Sequence, residues 1–224
     1  MSSLNFQVKK DLATINKTVI TNIIKMLAYR GWVNKTNVDN LISSISSSNK
    51  DNKIYSVKLD VDLTDFETYE PFENKKEWKK FVPNTLVIFI YNQKITGKSQ
   101  AISDFINIYS NYHKIIVIDS ITDKIKQTLT SAKLIEIFVE PEFMMNITEH
   151  VCCPEFQVLN NKELDEINES YGVKKKEMNK QYDSDPMSRY LFLRRGQGIR
   201  VVRNNYLTGQ SVNYRIITHK ALQK

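Results

Sequence analysis

Apolar and polar positions alternate along this chain with two different periods, and each change of period marks an element. From Lys17 to Arg30, Ile20, Ile23, Ile24 and Leu27 recur at helical spacing and Gly31 follows as a stop, which predicts an amphipathic helix. A second, shorter helix is expected from Thr36, with Val38, Leu41, Ile42 and Ile45 inward, dissolving into the polar run SSSNKDN. From Tyr55 the period drops to two. Tyr55, Val57, Leu59, Val61 and Leu63 share one face, and Ser56, Lys58, Asp60 and Asp62 share the other, as in a half-buried strand. The segment DFETYEPFENKKEWKKF has little periodicity, with Pro71 inside it and Pro83 just beyond, and reads as an irregular connection. Three short runs rich in branched residues follow: TLVIFIY, KIIVIDS and KLIEIFVE. The separator after the first carries Ile102, Phe105, Ile106 and Tyr109, and the next carries Ile125 and Leu129. Strand, helix, strand, helix, strand predicts an α/β layer with a partly parallel sheet.

The rhythm changes between Glu140 and Pro154, where Pro141 and Pro154 frame EFMMNITEHVCC. The expected division is an N-terminal α/β domain of residues 1–145 and a small C-terminal α+β domain of residues 146–224, with short helices and a β-hairpin. Asn160 stands three residues before Glu163, a capping box, and opens a helix with Leu164, Ile167 and Tyr171 on one face, closed by Gly172. Asp185 and Pro186 make an N-cap followed by proline in the first helical position, where a missing N–H costs nothing. Met187, Tyr190, Leu191 and Leu193 form its buried face, and Gly196 suits a left-handed stop. A strand with Ile199 and Val201, the turn NNYLTG and a strand with Val212, Tyr214 and Ile216 complete a hairpin.

The chain has 224 residues, 41% hydrophobic and 25% charged, enough to bury a core. A formal net charge of +7 favours attraction to nucleic acid or acidic surfaces. Basic residues recur in predicted loops: Lys94 and Lys98, Lys124 and Lys126, and Lys174 to Lys176. At one end of a sheet such lysines could contact phosphates without reading sequence. The N-terminal stretch carries Lys9, Lys10 and Asp11 where a signal peptide would need an apolar run, and a soluble protein in a reducing compartment is expected. Cys152 and Cys153 are adjacent, a spacing that suits neither an ordinary disulfide nor a zinc pair, and they read as small, partly buried apolar residues. His113, His150 and His219 lack partners at ligand spacing. The glycines of RRGQGIR follow a helix and precede a strand, the reverse of the order that presents helix N–H groups to phosphate. Asp60 and Asp62 could serve a metal-dependent nuclease or DNA-binding protein built on the first sheet, but no complete carboxylate set accompanies them.

NITEHVCCPEFQVL, DSDPMSRYLFLRRGQGIRVVR and TGQSVNYRI resemble the carboxy-terminal module of the fifth, shared small subunit of eukaryotic-type DNA-directed RNA polymerases, whose archaeal counterpart lacks the jaw domain. The family pattern falls on His150, Pro154, Asp185, Pro186, Arg189, Tyr190, Arg195, Gly196, Arg203, Thr208, Gly209, Tyr214 and Arg215, in order. IIKMLAYRGW, VIFIY and IIVIDSIT resemble, more loosely, the jaw domain of the eukaryotic form. There are departures. Glu155 and Phe156 replace a basic or histidine residue, MNKQYDS replaces an L-P-R-I-like segment, and Thr122-Asp123-Lys124-Ile125-Lys126 replaces a T-P-S-A loop. A divergent copy encoded by a large DNA virus would account for them.

The resemblance implies a noncatalytic subunit. Its second half would dock on the largest polymerase subunit through the thirteen pattern residues, exposing apolar or arginine-rich surface around Arg189, Arg203, Tyr214 and Arg215. Its first half would join the jaw beside downstream double-stranded DNA, with Lys94, Lys98, Thr122, Lys124 and Lys126 nearest the duplex and no sequence preference. Other polymerase subunits are further partners; no catalytic residue, metal, cofactor, membrane or homo-oligomer is implied. The location would be the nucleus if cellular, and the virion or a cytoplasmic viral factory if viral.

Overall fold

The computed structural model describes residues 12–48, 54–60, 82–90, 100–118, 134–205, 207 and 209–219. These fall into two compact units, one ending at Met145 and one starting at Asn146. The first unit begins with helix α1 (Leu12–Tyr29), which starts upstream of Lys17 because Ile15 and Val19 extend the buried stripe of Ile20, Ile23, Ile24 and Leu27. Gly31, at φ 78°, turns the chain out of the helix. A 3-10 turn (Lys35–Asn37) leads into α2 (Val38–Ser48).

The sheet of this unit contains β1 (Ile54–Lys58), β2 (Val82–Ile90), β3 (Tyr112–Ile118) and β4 (Ile135–Val139), in that order. β1 pairs antiparallel with β2, whereas β2, β3 and β4 run parallel, so the partly parallel layer is as expected. Helix α3 (Gln100–Ile108) connects β2 to β3 and lays Phe105 on a core of Leu86, Ile88, Ile116, Ile118, Ile135 and Ile137. The second separator, with Ile125 and Leu129, lies outside the described residues, as do Val61, Leu63 and the segment around Pro71.

The other sheet face holds a buried polar network absent from any local pattern. Arg30, just past α1, forks onto Glu136 of β4 through two hydrogen bonds of 2.6 and 2.8 Å. The Nε2 of His113 on β3 lies 2.8 Å from Glu136, and its Nδ1 lies 3.0 Å from the Thr85 hydroxyl of β2. Trp32 meets the His113 ring edge-on at 5.0 Å, and the Arg30 guanidinium lies over the Trp32 ring. Burial opposes the Glu136 charge, but Arg30 and the His113 hydrogen bond overcome it and hold the carboxyl at about 2. Burial also depresses the His113 pKa, against the pull of Glu136. A neutral imidazole that donates Nε2–H to Glu136 and accepts the Thr85 hydroxyl at Nδ1 satisfies all three groups. Lys114, next along β3, points to the opposite face. Its buried ammonium donates to the Tyr112 carbonyl at 2.8 Å, and burial lowers its pKa to about 8.

The second unit is built on another mixed sheet, of order β5 (Glu155–Leu159), β7 (Gly198–Asn205), β8 (Gly209–Thr218) and β6 (Asn179–Tyr182). The β7–β8 hairpin appears as expected. β5 and β6 do not stand out in the sequence, because each is short and interleaves polar with half-buried positions. Helix α4 (Asn161–Tyr171) has the anticipated capping box, with Asn160 Oδ1 accepting from the Glu163 N–H and Glu163 accepting from the Asn160 N–H. Gly172 closes it at φ 62°.

Leu164 of α4 reaches the sheet where Leu159, Gly198 and Ile216 stand in register. A methyl group at position 198 would come within 2.6 Å of a Leu164 methyl. Gly198 is therefore the place where helix and strand meet. Tyr171 departs from its expected burial. It is the last helical residue, 66% exposed, and its ring leans on Tyr214 at 5.9 Å beyond the packed turn.

Replacing Arg30 by Met strands Glu136 in the interior, and a loss of about 3–5 kcal/mol is expected. In urea titrations read by hydrogen exchange at β3 and β4 amides, the Arg30→Met, Glu136→Leu double variant should recover much of that loss. Both pKa shifts make the native state the weaker proton binder, so stability is expected to decline as pH falls below about 6.5 and again between about 4.5 and 2. His113→Gln, which keeps a donor and an acceptor, should flatten the first decline and leave the second. For the second unit, Gly198→Ala should cost about 1–3 kcal/mol by overpacking, and less in a Leu164→Ala background.

Candidate functional site

The family-pattern residues gather in the second unit, where the structure gives many of them a backbone task. Asp185 caps the short helix α5 (Pro186–Tyr190). Its Oδ1 accepts from the Met187 N–H at 2.9 Å and from the Gln181 amide at 3.3 Å, and Pro186 occupies the first turn. Gln181, on β6, also donates to the buried Ser188 hydroxyl of α5 at 3.0 Å. The buried Tyr190 hydroxyl donates to Asn146 Oδ1 at 2.9 Å. Asn146 in turn accepts from the Thr148 hydroxyl and donates to Glu149. A 3-10 turn (Ile147–Glu149) is thereby fixed just before His150.

The stop of α5 differs from expectation. Phe192, not Gly196, takes the left-handed conformation, at φ 56°. A non-glycine residue there costs about 1–2 kcal/mol. Burial of the Phe192 ring, with the Arg194 guanidinium stacked over it at 4.1 Å, offsets that cost. Gly196, at φ 89°, serves the next turn instead, where its N–H donates to the Ile217 carbonyl as the chain enters β7. Gly209, at φ 76°, opens β8.

The two cysteines part company. The Cys153 N–H closes a tight turn onto the His150 carbonyl at 2.8 Å, and the Cys152 N–H bonds His150 Nδ1 at 3.2 Å. That turn thrusts Val151 and Cys152 outward, so Cys152 is exposed rather than partly buried. Cys153 is half-buried, its thiol 4.0 Å from the Met187 sulfur, and burial raises its pKa.

His150, Arg195 and Arg203 are exposed, and Pro154, Arg189, Tyr214 and Arg215 are half-buried. Strand alternation separates the last residues of the pattern. Tyr214 shares the α4 face with Ile216, whereas Arg203 and Arg215 share the opposite face with Ile199 and Ile217. Arg215 is held there by Gln181 Oε1 at 3.2 Å, on the side to which Ser188 ties α5. The pattern therefore does not form one patch. Thr208, and in the first unit Lys94, Lys98, Thr122, Lys124 and Lys126, lie outside the described residues.

Sequence reasoning overlooked Gln181, Ser188 and Asn146, the polar side chains that lock α5 in place. Asn146 carried a faint signal, since an Asn two residues before Thr is a common helix cap. Gln181 and Ser188 carried none, because their contact crosses from a strand to a helix.

Among the described residues no three His, Cys, Asp or Glu side chains come together as a metal would require. Asp60 is occupied structurally, its Oδ2 accepting from the Asn34 N–H and the Asn37 amide at 3.0 and 3.2 Å. Asp62 lies outside the described residues. No described helix is long and apolar enough to cross a membrane. A groove of about 300 Å³ between α4 and the sheet is lined by Leu159, Glu163, Glu166, Arg200 and Tyr214 among others. It mixes the carboxylates of Glu163 and Glu166 with the Arg200 guanidinium and the Tyr214 ring.

Residues 145–217 match the family model described as RNA polymerase Rpb5, C-terminal domain. The DNA-directed RNA polymerase subunit 5 of Acanthamoeba polyphaga mimivirus is 34% identical over 127 residues, 56% of this chain and 62% of the viral protein. The subunit RPABC1 of RNA polymerases I, II and III of Caenorhabditis briggsae is 33% identical over 106 residues, 46% of this chain and 50% of the nematode protein. The subunit Rpo5 of Methanocaldococcus jannaschii is 27% identical over 78 residues, 35% of this chain but 100% of the archaeal protein. The chain thus spans between half and about three-fifths of the viral and nematode relatives. With α5, its cap and the β7–β8 hairpin all inside the matched segment, residues 145–217 are similar to an Rpb5 C-terminal domain, and the matches to viral, nematode and archaeal proteins support a divergent, viral-like relative of RNA polymerase subunit 5.

Proposed function

We propose that the chain is a noncatalytic subunit of a multisubunit DNA-directed RNA polymerase. The observation that carries this reading is the match of the second unit to the Rpb5 C-terminal domain. Residues 146–224 act as the assembly domain and dock on the largest subunit. Within the thirteen pattern residues, His150, Arg195 and Arg203 are exposed to make contacts, while Asp185, Pro186, Tyr190, Gly196 and Gly209 shape the backbone that presents them. Nucleotidyl transfer belongs to the large subunits.

Residues 1–145 form the jaw-like part beside downstream duplex DNA. β2 and β3 run parallel and end in register at Ile90 and Ile118, so the chain leaves both strands at one edge of the sheet. Lys94 and Lys98 follow the first exit, and Thr122, Lys124 and Lys126 follow the second. Two basic stretches leaving one edge suit contacts to phosphates without base readout. Such a subunit works where its polymerase does: the nucleus of a cell, or the virion or cytoplasmic factory of a virus.

Affinity purification of the tagged chain from its native source is expected to recover the two large polymerase subunits in stoichiometric amounts; their absence would sink the proposal. For the jaw, the Lys124→Ala, Lys126→Ala double variant should weaken binding of the assembled polymerase to downstream duplex. The slope of log affinity against log salt should become shallower by about 2, one unit per lost phosphate contact. An unchanged slope would remove these lysines from the interface.

A further inference from the structure

Three sulfur-bearing side chains gather where the turn before β5 meets the start of α5. The Cys153 Sγ lies 4.0 Å from the Met187 Sδ, and Cys152 is its immediate neighbour in the chain. Both thiols are free, and neither cysteine belongs to the family pattern.

The local structure fixes how these groups are presented. The Cys153 N–H donates to the His150 carbonyl at 2.8 Å and the Cys152 N–H to His150 Nδ1 at 3.2 Å, so the backbone of both cysteines is held by one turn. Met187 is held as firmly on the other side. It stands in the first turn of α5, where Asp185 Oδ1 accepts its N–H at 2.9 Å. Exposure falls in steps across the group: Cys152 is open to solvent, Cys153 is half-buried and Met187 is 6% exposed. An ion arriving from water would thus meet a free thiol first and a fixed thioether last.

Two sulfur ligands about 2.3 Å from a metal and about 120° apart around it lie about 4.0 Å from each other. The Cys153–Met187 separation matches that span. A weak S–H···S contact accounts for it less well, because the one thiol proton of Cys153 also has the Pro154 carbonyl as acceptor, at 3.5 Å.

The donor set selects the ion. Thiolate and thioether sulfur are soft, and together they suit Cu(I). Zinc needs four ligands in a structural site, and among the described residues no His, Asp or Glu completes a group of three with these cysteines. His150 Nδ1 is already occupied by a backbone N–H. Magnesium and calcium need oxygen ligands, which this group lacks.

We propose that Cys152, Cys153 and Met187 form a three-coordinate site for a soft monovalent metal ion, Cu(I). Both thiols release their protons to water as the ion binds, and copper keeps its oxidation state, so no oxidant or reductant is consumed. Burial raises the Cys153 pKa, and binding therefore tightens as pH rises. The bound ion ties the His150–Cys153 turn to α5. The site is independent of the polymerase reading.

The test titrates the reduced chain with Cu(I), without oxygen, against a coloured Cu(I) chelator. Wild type is expected to take one ion per chain, with X-ray absorption showing three sulfur neighbours. Met187→Leu keeps the buried volume and should leave two sulfur neighbours and weaken binding roughly tenfold or more, since even an outer-shell partner is worth that much. Cys153→Ser should lose the complex, and replacing the exposed Met145 by Leu should change nothing. Hydrogen exchange of the α5 amides should slow when wild type is loaded. A wild-type chain that takes no Cu(I) from the chelator overturns the proposal. Equally fatal are a Met187→Leu chain with unchanged affinity and sulfur count, a Cys153→Ser chain that holds the ion as tightly, and Zn(II) binding as tight as that of Cu(I).

Discussion

Leu164 can reach the middle of the second sheet only because position 198 has no side chain. The strands on which it rests are buried on both sides: Ile216 and Val202 face the α4 side, and Ile199, Val201 and Ile217 face the other. A sheet so short cannot expose either face without losing the apolar burial that pays for ordering it. Both helices are therefore obligatory, and the closest approach of α4 fixes where it sits. With α4 against Leu159, Gly198 and Ile216, the Gln181–Ser188 hydrogen bond seats α5 on the opposite face. One helix thereby exposes Glu163, Asp165, Glu166 and Glu169 beside Lys162, with Asp165 paired to Lys175, and the other lies among arginines.

The first unit solves its packing with polar groups in the interior. Arg30, Glu136, His113 and Thr85 come from α1's end and three neighbouring strands, and every one of their hydrogen bonds is to another member or to the surrounding fold. An apolar set of similar volume would stabilise as well or better. The network instead fixes an arrangement, because Glu136 can accept from Arg30 and His113 together only when β3 and β4 hold their observed register against the end of α1.

Elements set by neighbouring residues were legible in the sequence. The Asn160–Glu163 capping box, the Asp185–Pro186 helix start and the three apolar strands are each specified within a few positions. Features that depend on distant partners were not. Nothing around His113 announces Glu136 or Arg30, and nothing around Gln181 announces Ser188. The Gly-x-Gly of RRGQGIR was misleading in a particular way. A glycine after a helix suggests a left-handed stop, but the buried Phe192 ring, with Arg194 stacked on it, holds that conformation four residues earlier. The two glycines then serve separate ends, Gly196 for a turn and Gly198 for helix contact.

That separation bears on what a family pattern means. A recurring residue marks a position that tolerates little change, and in this unit there are two unrelated reasons for intolerance. Asp185, Pro186, Tyr190, Gly196 and Gly209 are constrained by backbone geometry or buried hydrogen bonds, so changing them disturbs the frame. Arg195 and Arg203 are exposed and occupy no such place, so the frame gives no reason for an arginine at either position. A loss of assembly after changing Tyr190 would thus report on folding first, because its hydroxyl fixes the turn before His150. A loss after changing Arg203 has no such route through the fold. Under the proposed assembly role, contact with a partner is the constraint left for it, and that role would put the docking surface at the exposed arginines rather than across the motif as a whole.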